Sequence, residues 1–288
     1  MAELDGMHAV VTGGASGVGY HLCRRFATAG AKVSMVDIEE TALEEAAETL
    51  RSEGLEVNPQ RADVTSPEAM GELERRATEC YGEVRILCNN AGVGIKEAQR
   101  RMWSLTSNDW RWGFEVNVMG VANGIRAFLP GMLEHGKSGH VVNTSSGNGG
   151  LSSLPTTPIY ASTKAAVTSM SEVLHYQLLL EESALQAHVL FPGPHLVNTN
   201  ILSSMRNRPR DLRDDDEPLA YTSMKDLARA SGIQNLQLTE PEEVAETCLQ
   251  GMLDKKFWIL PASEAQDARI KDRTENILAR RNPQLPES

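Results

Sequence analysis

The sequence is short of the features that mark disulfide frameworks and metal clusters. Its 288 residues include four cysteines, Cys23, Cys80, Cys88 and Cys248, none in a C-x-x-C pair and none accompanied by a histidine cluster. Stapled domains and structural zinc sites need such spacings, so neither is supported. Buried thiols in a reducing compartment are expected, and no metal. Positive charge is also scarce: 28 Lys and Arg against 39 Asp and Glu leave a net charge of −11. That sign repels phosphate backbones and anionic lipid, which argues against nucleic-acid and membrane partners. No apolar run reaches membrane-spanning length. The opening MAELDGMHAVVTGG lacks the basic segment and long apolar run of a secretory leader, so a cytoplasmic protein is expected. There is no internal repeat and no composition break that would split off a second domain.

What the chain does contain is a regular alternation. Short apolar runs at 7–12, 32–37, 57–62, 84–90, 139–146, 186–192 and 257–261 read as strands. Between them, 17–29, 39–53, 66–80, 108–133, 160–182, a segment beginning at Pro241 and 264–281 read as helices. Ser66-Pro67 supplies a cap followed by proline at the first helical position. Pro59 weakens the third strand or moves it toward an edge. This order predicts an α/β fold, a single-domain doubly wound parallel sheet with helices on both faces. Its crevice opens at the carboxyl ends of the strands. Residues 203–238 break the pattern, with RPRDLRDDDEP at their centre. The stretch 203–235 is expected to be a mobile lid over the crevice, because it buries little apolar surface to offset ordering entropy.

The first strand runs into Thr12-Gly13-Gly14-Ala15-Ser16-Gly17-Val18-Gly19. A glycine turn between a strand and a helix lets the backbone approach a pyrophosphate at the helix N-terminus. On its own it is also a common turn; its position between first strand and first helix gives it weight. Asp37 ends the second strand, where an acid accepts the adenosine ribose hydroxyls and repels a 2′-phosphate. Ala15, Ser16 and Ile38 offer no cation to attract one. NAD is thus the expected cofactor.

Tyr160-Ala161-Ser162-Thr163-Lys164 opens a long helix, and the i, i+4 spacing sets Tyr160 and Lys164 on one face. A phenol is a poor base at neutral pH; an ammonium beside it stabilises the phenolate. Ser146, which ends the preceding strand, is placed to hydrogen-bond a substrate oxygen. The three together form an acid–base site for alcohol oxidation or carbonyl reduction. Ser145 is the lesser candidate for the serine.

TGGASGVG (12–19), Asp63-Val64, Asn89-Asn90-Ala91-Gly92, Asn117, Ser146, Tyr160 with Lys164, and Pro192-Gly193 occur in the order of the short-chain dehydrogenase/reductase family, which the chain resembles over about residues 5–200. The resemblance implies a seven-stranded sheet, a nicotinamide dinucleotide and a homotetramer or homodimer. It makes Tyr160 the general base or acid, with Lys164 lowering its pKa and binding the nicotinamide ribose. Ser146 would orient the substrate oxygen, and Asn117 would hold a water that links Lys164 to solvent. Gly13, Ser16, Gly17, Val18 and Gly19 become the pyrophosphate turn. Asp63 and Val64 would flank the adenine, Asn90 would lie along the cofactor, and Val197 and Thr199 would approach the carboxamide. Two departures stand out. Ser146 precedes Tyr160 by one residue more than the family spacing, and PGPHLVNTNI is longer than the usual Pro-Gly-x-Val-x-Thr.

Specificity is expected in the least patterned segments, 93–104, 147–159 and 194–235, with Asn148, His195, Met205 and Tyr221 as pocket candidates. Trp103, Trp110 and Trp112 are expected to pack helices or subunits. WSLTSNDWRWGFEVNVMGVANGIRAFLPGMLEHG and ILARRNP are similar to a bacterial subgroup that includes the Cα-dehydrogenases of lignin-type aryl ethers. That similarity implies a bulky, aromatic (benzylic) secondary alcohol. A ketone reductase of another substrate class and a non-catalytic NAD-binding regulatory protein are the competing expectations.

Overall fold

The structure, a computed structural model, describes residues 3–98, 100–213 and 236–285. Five strand–helix repeats and a sixth strand build it: β1 (His8–Thr12), α1 (Gly17–Thr28), β2 (Lys32–Asp37), α2 (Glu40–Ser52), β3 (Val57–Arg61), α3 (Pro67–Tyr81), β4 (Val84–Asn89), α4 (Ser107–Phe114), α5 (Gly120–Glu134), β5 (Gly139–Thr144), α6 (Pro158–Leu180) and β6 (Leu185–Leu190). A two-residue ladder, β7 (Leu196–Val197) with β8 (Leu238–Thr239), follows; then come α7 (Pro241–Leu253), β9 (Trp258–Ile259) and α8 (Glu264–Leu278).

Seven strands form one parallel sheet in the order β3-β2-β1-β4-β5-β6-β9. Pro59 sits in β3 at the sheet edge, where a missing ladder N–H is tolerated. Because both faces are covered, successive residues of one strand feed different cores. Ala9 and Val11 join Leu22, Phe26, Leu43, Leu50 and Leu249 on one side, while Val10 joins Met70, Leu73, Phe128 and Leu174 on the other. The strand order reverses between β1 and β4, so the crevice opens at their carboxyl ends.

The single helix expected over 108–133 is two helices joined by a π turn at Glu115–Met119, which carries Asn117. One extra residue in a turn leaves the hydrophobic period nearly intact, so periodicity does not reveal it; such wide turns favour functional sites.

A third apolar cluster, Val93, Ile95, Trp112, Ile159, Met205 and Leu212, lies apart from the two sheet cores. It joins the segment after β4, α4, the start of α6 and the chain beyond β7. There the residues expected to be a mobile lid form 3-10 turns at Asn200–Asn207 and Arg210–Leu212. Two of the arginines in this segment have partners far away in sequence. Arg208 Nη1 meets Asp109 Oδ1 at 2.7 Å in a pair that is almost wholly buried, and Arg206 forks onto Glu39. Residues 214–235 of the expected lid, Tyr221 among them, lie outside the described residues.

Candidate active site

Threonine and asparagine stitch the crevice floor. Thr12 Oγ1, at the end of β1, accepts the N–H groups of Asn90 and Ala91, each at 3.0 Å. Asn90 Nδ2 returns a bond to the Thr12 carbonyl at 3.0 Å, and its Oδ1 accepts from Thr144 Oγ1 at 3.3 Å. Asn90 therefore ties β1, β4 and β5 at their carboxyl ends, and its side chain is committed to the protein.

The turn above this floor requires glycine. Gly13 has φ +71°, and a Cβ on Gly19 would stand 2.0 Å from the Gly13 carbonyl oxygen. Ser16 takes extended geometry before α1 and makes no side-chain cap, so the first amides of the helix are left for another acceptor. Val18 points into the core, which leaves only its backbone to face a ligand. The methyl of Thr199 lies against Gly17, 3.1 Å from where a Cβ would stand, and Val197 is in β7. Thr199 thus reaches the glycine turn's side of the crevice despite the longer segment before it.

Asp37 holds the far rim. Its Oδ2 accepts the Ala15 N–H and its Oδ1 the Glu39 N–H, both at 3.1 Å; burial raises its pKa. Asp63 Oδ1 is taken up by the N–H and hydroxyl of Thr65, and the Val64 side chain packs on Gly120. The sequence offered no cation near this rim at Ala15, Ser16 or Ile38, but the fold brings Arg206 next to it, held by Glu39. A partner 167 residues away leaves no local signal. The uncapped amides, the glycines and the acid at the rim together suit a dinucleotide.

Beyond the floor, α6 presents Tyr160 and Lys164. Lys164 Nζ is buried, donates to the Thr144 carbonyl at 2.9 Å and lies 5.6 Å from the centre of the Tyr160 ring. Desolvation lowers its pKa to about 8. The Tyr160 pKa is raised, not depressed as the spacing predicts. Burial raises it, a hydrogen bond from Ser146 opposes that rise, and the charge of Glu97 adds to it. The spacing in sequence sets the two side chains on one face but says nothing of their depth, and depth decides the sign.

The choice between the serines is clear in the geometry. Ser145 Oγ is buried between the Lys164 carbonyl at 2.9 Å and Thr168 Oγ1 at 2.7 Å, so it serves packing. Ser146 faces Tyr160 and accepts the Asn148 N–H at 3.2 Å. The longer loop fits because Gly149, at φ +92°, lies on the Ala161 carbonyl, where a Cβ would come within 2.0 Å. The Asn148 amide staples that loop, donating to Thr157 Oγ1 at 2.6 Å and accepting the Leu154 N–H at 3.0 Å.

Asn117, in its π turn, accepts the Val93 N–H at 2.8 Å and donates to the Val93 carbonyl and to Thr163 Oγ1. It locks the segment after β4 to α6. Its Oδ1 and Lys164 Nζ both border Gly92. His195 is exposed; its backbone N–H bonds Thr239 Oγ1, and its ring makes no hydrogen bond among the described residues. Met205 and Trp112 are in the third cluster, with Trp110 against it, whereas Trp103 is 85% exposed. Glu97, wholly buried beside Tyr160, carried no sequence signal at all.

Similarity to known proteins agrees with this geometry. A solved short-chain dehydrogenase/reductase from Burkholderia phymatum, in complex with NAD, is 36% identical, with TM-score 0.89 and full coverage of both chains. The C alpha-dehydrogenase of Sphingobium sp. is 29% identical over 273 residues, 94% of this chain and 85% of that protein. The apo form of LigO from the same genus is 29% identical with TM-score 0.76, covering 97% of this chain and 91% of that one. The short chain dehydrogenase family model matches residues 7–209, and the chain belongs to that family of oxidoreductases, similar within it to the Cα-dehydrogenases.

Proposed function

We propose that the protein is an NAD-dependent dehydrogenase that oxidises a bulky secondary alcohol, with a benzylic carbinol as the favoured class. The observation that carries this reading is the meeting of Ser146, Tyr160 and Lys164 at the carboxyl end of β5, across the crevice floor from the glycine turn and Asp37. Gly13, Ser16, Gly17, Val18 and Gly19 would hold the pyrophosphate through backbone amides, and Asp37 the adenosine ribose. Asp63, Val64, Asn90, Val197 and Thr199 would line the rest of the groove, and Lys164 would hold the nicotinamide ribose. Bound NAD would supply the hydride acceptor and a positive ring.

The protein's own residues do the proton chemistry. Ser146 holds the substrate hydroxyl by its oxygen, and Tyr160 takes the hydroxyl proton as the carbinol C–H bond gives up its electron pair and the carbonyl forms. Tyr160 can accept that proton only after giving up its own: Lys164, its pKa lowered by desolvation, stabilises the phenolate before the transfer, and the phenol proton leaves outward past Asn117. In the reverse direction the same phenol donates the proton to a ketone oxygen, and its raised pKa keeps that proton in place. Similarity to a Cα-dehydrogenase and the apolar Val93, Ile95 and Met205 near the crevice support an aromatic substrate. Asn148 and His195 remain the polar candidates to flank it. Exposed Val173, Tyr176, Leu179 and Leu180 on α6 support a homodimer or homotetramer.

Coenzyme choice tests the cofactor half of this proposal. NAD should bind at least about tenfold more tightly than NADP, a difference of about 1.4 kcal/mol, because Asp37 would face the 2′-phosphate. Asp37→Ala should erode the difference, as read by equilibrium titration of each dinucleotide. Tighter binding of NADP by the native protein would contradict it.

A further inference from the structure

Helix α6 starts with a capping problem. Its N-cap, Thr157, makes no side-chain bond to the helix amides, and Pro158 has no N–H to satisfy. The Ala161 N–H is answered by the Thr157 carbonyl. The two amides left are those of Ile159 and Tyr160 itself, and both go to one side chain: Glu97 Oε2 accepts from Ile159 at 2.6 Å and Oε1 from Tyr160 at 2.8 Å. Glu97 comes from the segment after β4, 63 residues earlier, and no part of it is exposed.

We propose that Glu97 is a positioning residue for Tyr160: by closing the first turn of α6 it holds the backbone from which the phenol meets the substrate. The inference rests on the reading of Tyr160 as the proton-transfer group. A buried carboxylate is a costly cap, since an N-cap hydroxyl can answer an orphan amide without burying a charge; the hydroxyl present there, that of Thr157, is turned to the Asn148 amide instead. The site bears that cost at one place, the turn that carries the reacting group. A carboxylate at a helix N-terminus is favoured by the helix dipole, which offsets part of the desolvation that pushes the Glu97 pKa up to about 7. The charged neighbours are Arg100, which favours the carboxylate, and Asp109, which opposes it and is itself held by Arg100 and Arg208. From α6 the facing titratable group is Tyr160. At the pH where a phenol ionises, Glu97 is fully charged and opposes that ionisation.

The test uses the full chain and four variants. Glu97→Gln keeps the shape, loses the charge and turns an amide donor toward a backbone donor. Glu97→Asp keeps the charge but falls one methylene short. Both should lower kcat by about 10- to 100-fold, with KM for the alcohol and Kd for NAD within about twofold of native, because a displaced base harms the chemical step rather than binding. Tyr160 ionisation is read without cofactor from the ultraviolet difference spectrum against Tyr160→Phe. Its midpoint should fall by about half a pH unit or more in Glu97→Gln and stay near native in Glu97→Asp. Asp109→Asn breaks the neighbouring buried ion pairs without touching α6. It should lower the thermal midpoint and leave the Tyr160 midpoint in place.

Native kcat and a native Tyr160 midpoint in Glu97→Gln would overturn the proposal. So would an equal midpoint shift in Asp109→Asn, which would assign the effect to loosened packing. If Glu97→Gln does not fold, native kcat in Glu97→Asp would overturn it. Turnover surviving in Tyr160→Phe would instead overturn the reading of Tyr160, whatever Glu97 does.

Discussion

Tyr160→Phe is expected to lower kcat by about 10²- to 10⁴-fold, the range a positioned proton acceptor contributes, while Kd for NAD stays within about twofold. The substitution removes one oxygen and little else. The ring keeps its place on α6, whose first turn is held through backbone amides, and Lys164 keeps its bond to the Thr144 carbonyl. Ser146 loses its phenolic partner but retains the bond from Asn148. Steady-state turnover beside calorimetric titration of NAD separates the two quantities. Near-native turnover would mean that another group takes the proton. Among the described residues His195 offers the next imidazole, but it is exposed and in the loop before β7, with no carboxylate hydrogen-bonded to its ring.

Gly19→Ala is expected to weaken NAD binding by about 100-fold, equivalent to about 2.7 kcal/mol. The added methyl would stand 2.0 Å from the Gly13 carbonyl oxygen and 2.7 Å from Asn90 Nδ2. The first of these is backbone and cannot swing aside, so the turn itself must move. Movement there spoils the array of amides at the start of α1 and strains the Thr12–Asn90 stitch beneath it. Overpacking should also destabilise the fold by about 1–3 kcal/mol. Gly71→Ala in α3 is the matched control. It has open space where the methyl would go, and alanine favours a helix interior by about 1 kcal/mol over glycine. It should leave NAD binding unchanged and leave stability equal or higher. Equal NAD affinity in Gly19→Ala and native protein would show that the glycine turn does not hold the dinucleotide.

The sheet was legible because each buried parallel strand is a continuous apolar run that ends in a polar or glycine turn. KVSMVD lies at 32–37 and forms β2 over those same residues. The last strand was the exception. FWILP shrinks to Trp258–Ile259, since only those residues reach β6 at the sheet edge. Pro59 told the truth about β3, because a proline without an N–H is at home on an edge. The placement of Tyr160, Lys164 and the glycine turn was legible for a related reason: each depends on short, fixed spacing along one element.

What the sequence hid depends on chain segments that meet only after folding. Glu97 sits in AGVGIKEAQ, where nothing distinguishes it from a solvated acid until α6 arrives to donate two amides. The Asp109–Arg208 pair spans 99 residues, and Glu39 meets Arg206 across 167. The charge-mixed stretch reads as a mobile lid, and the fold ties two of its arginines, Arg206 and Arg208, to distant acids. The Tyr160 pKa shows the same limit in electrostatic form. Proximity of an ammonium was visible in the spacing, but the degree of burial that outweighs it was not.

The central claim is hydride transfer between NAD and a secondary alcohol at Tyr160. The most direct measurement mixes native protein and Tyr160→Phe with NAD and a panel of secondary alcohols, from benzylic to short aliphatic, and follows NADH absorbance. Native protein should form NADH with at least one alcohol, fastest with a benzylic one, and the signal should need both NAD and Tyr160. Tight NAD binding with no absorbance change for any alcohol, and no NADH consumption with the matching ketones, would contradict it and leave a dinucleotide-binding protein without this catalysis.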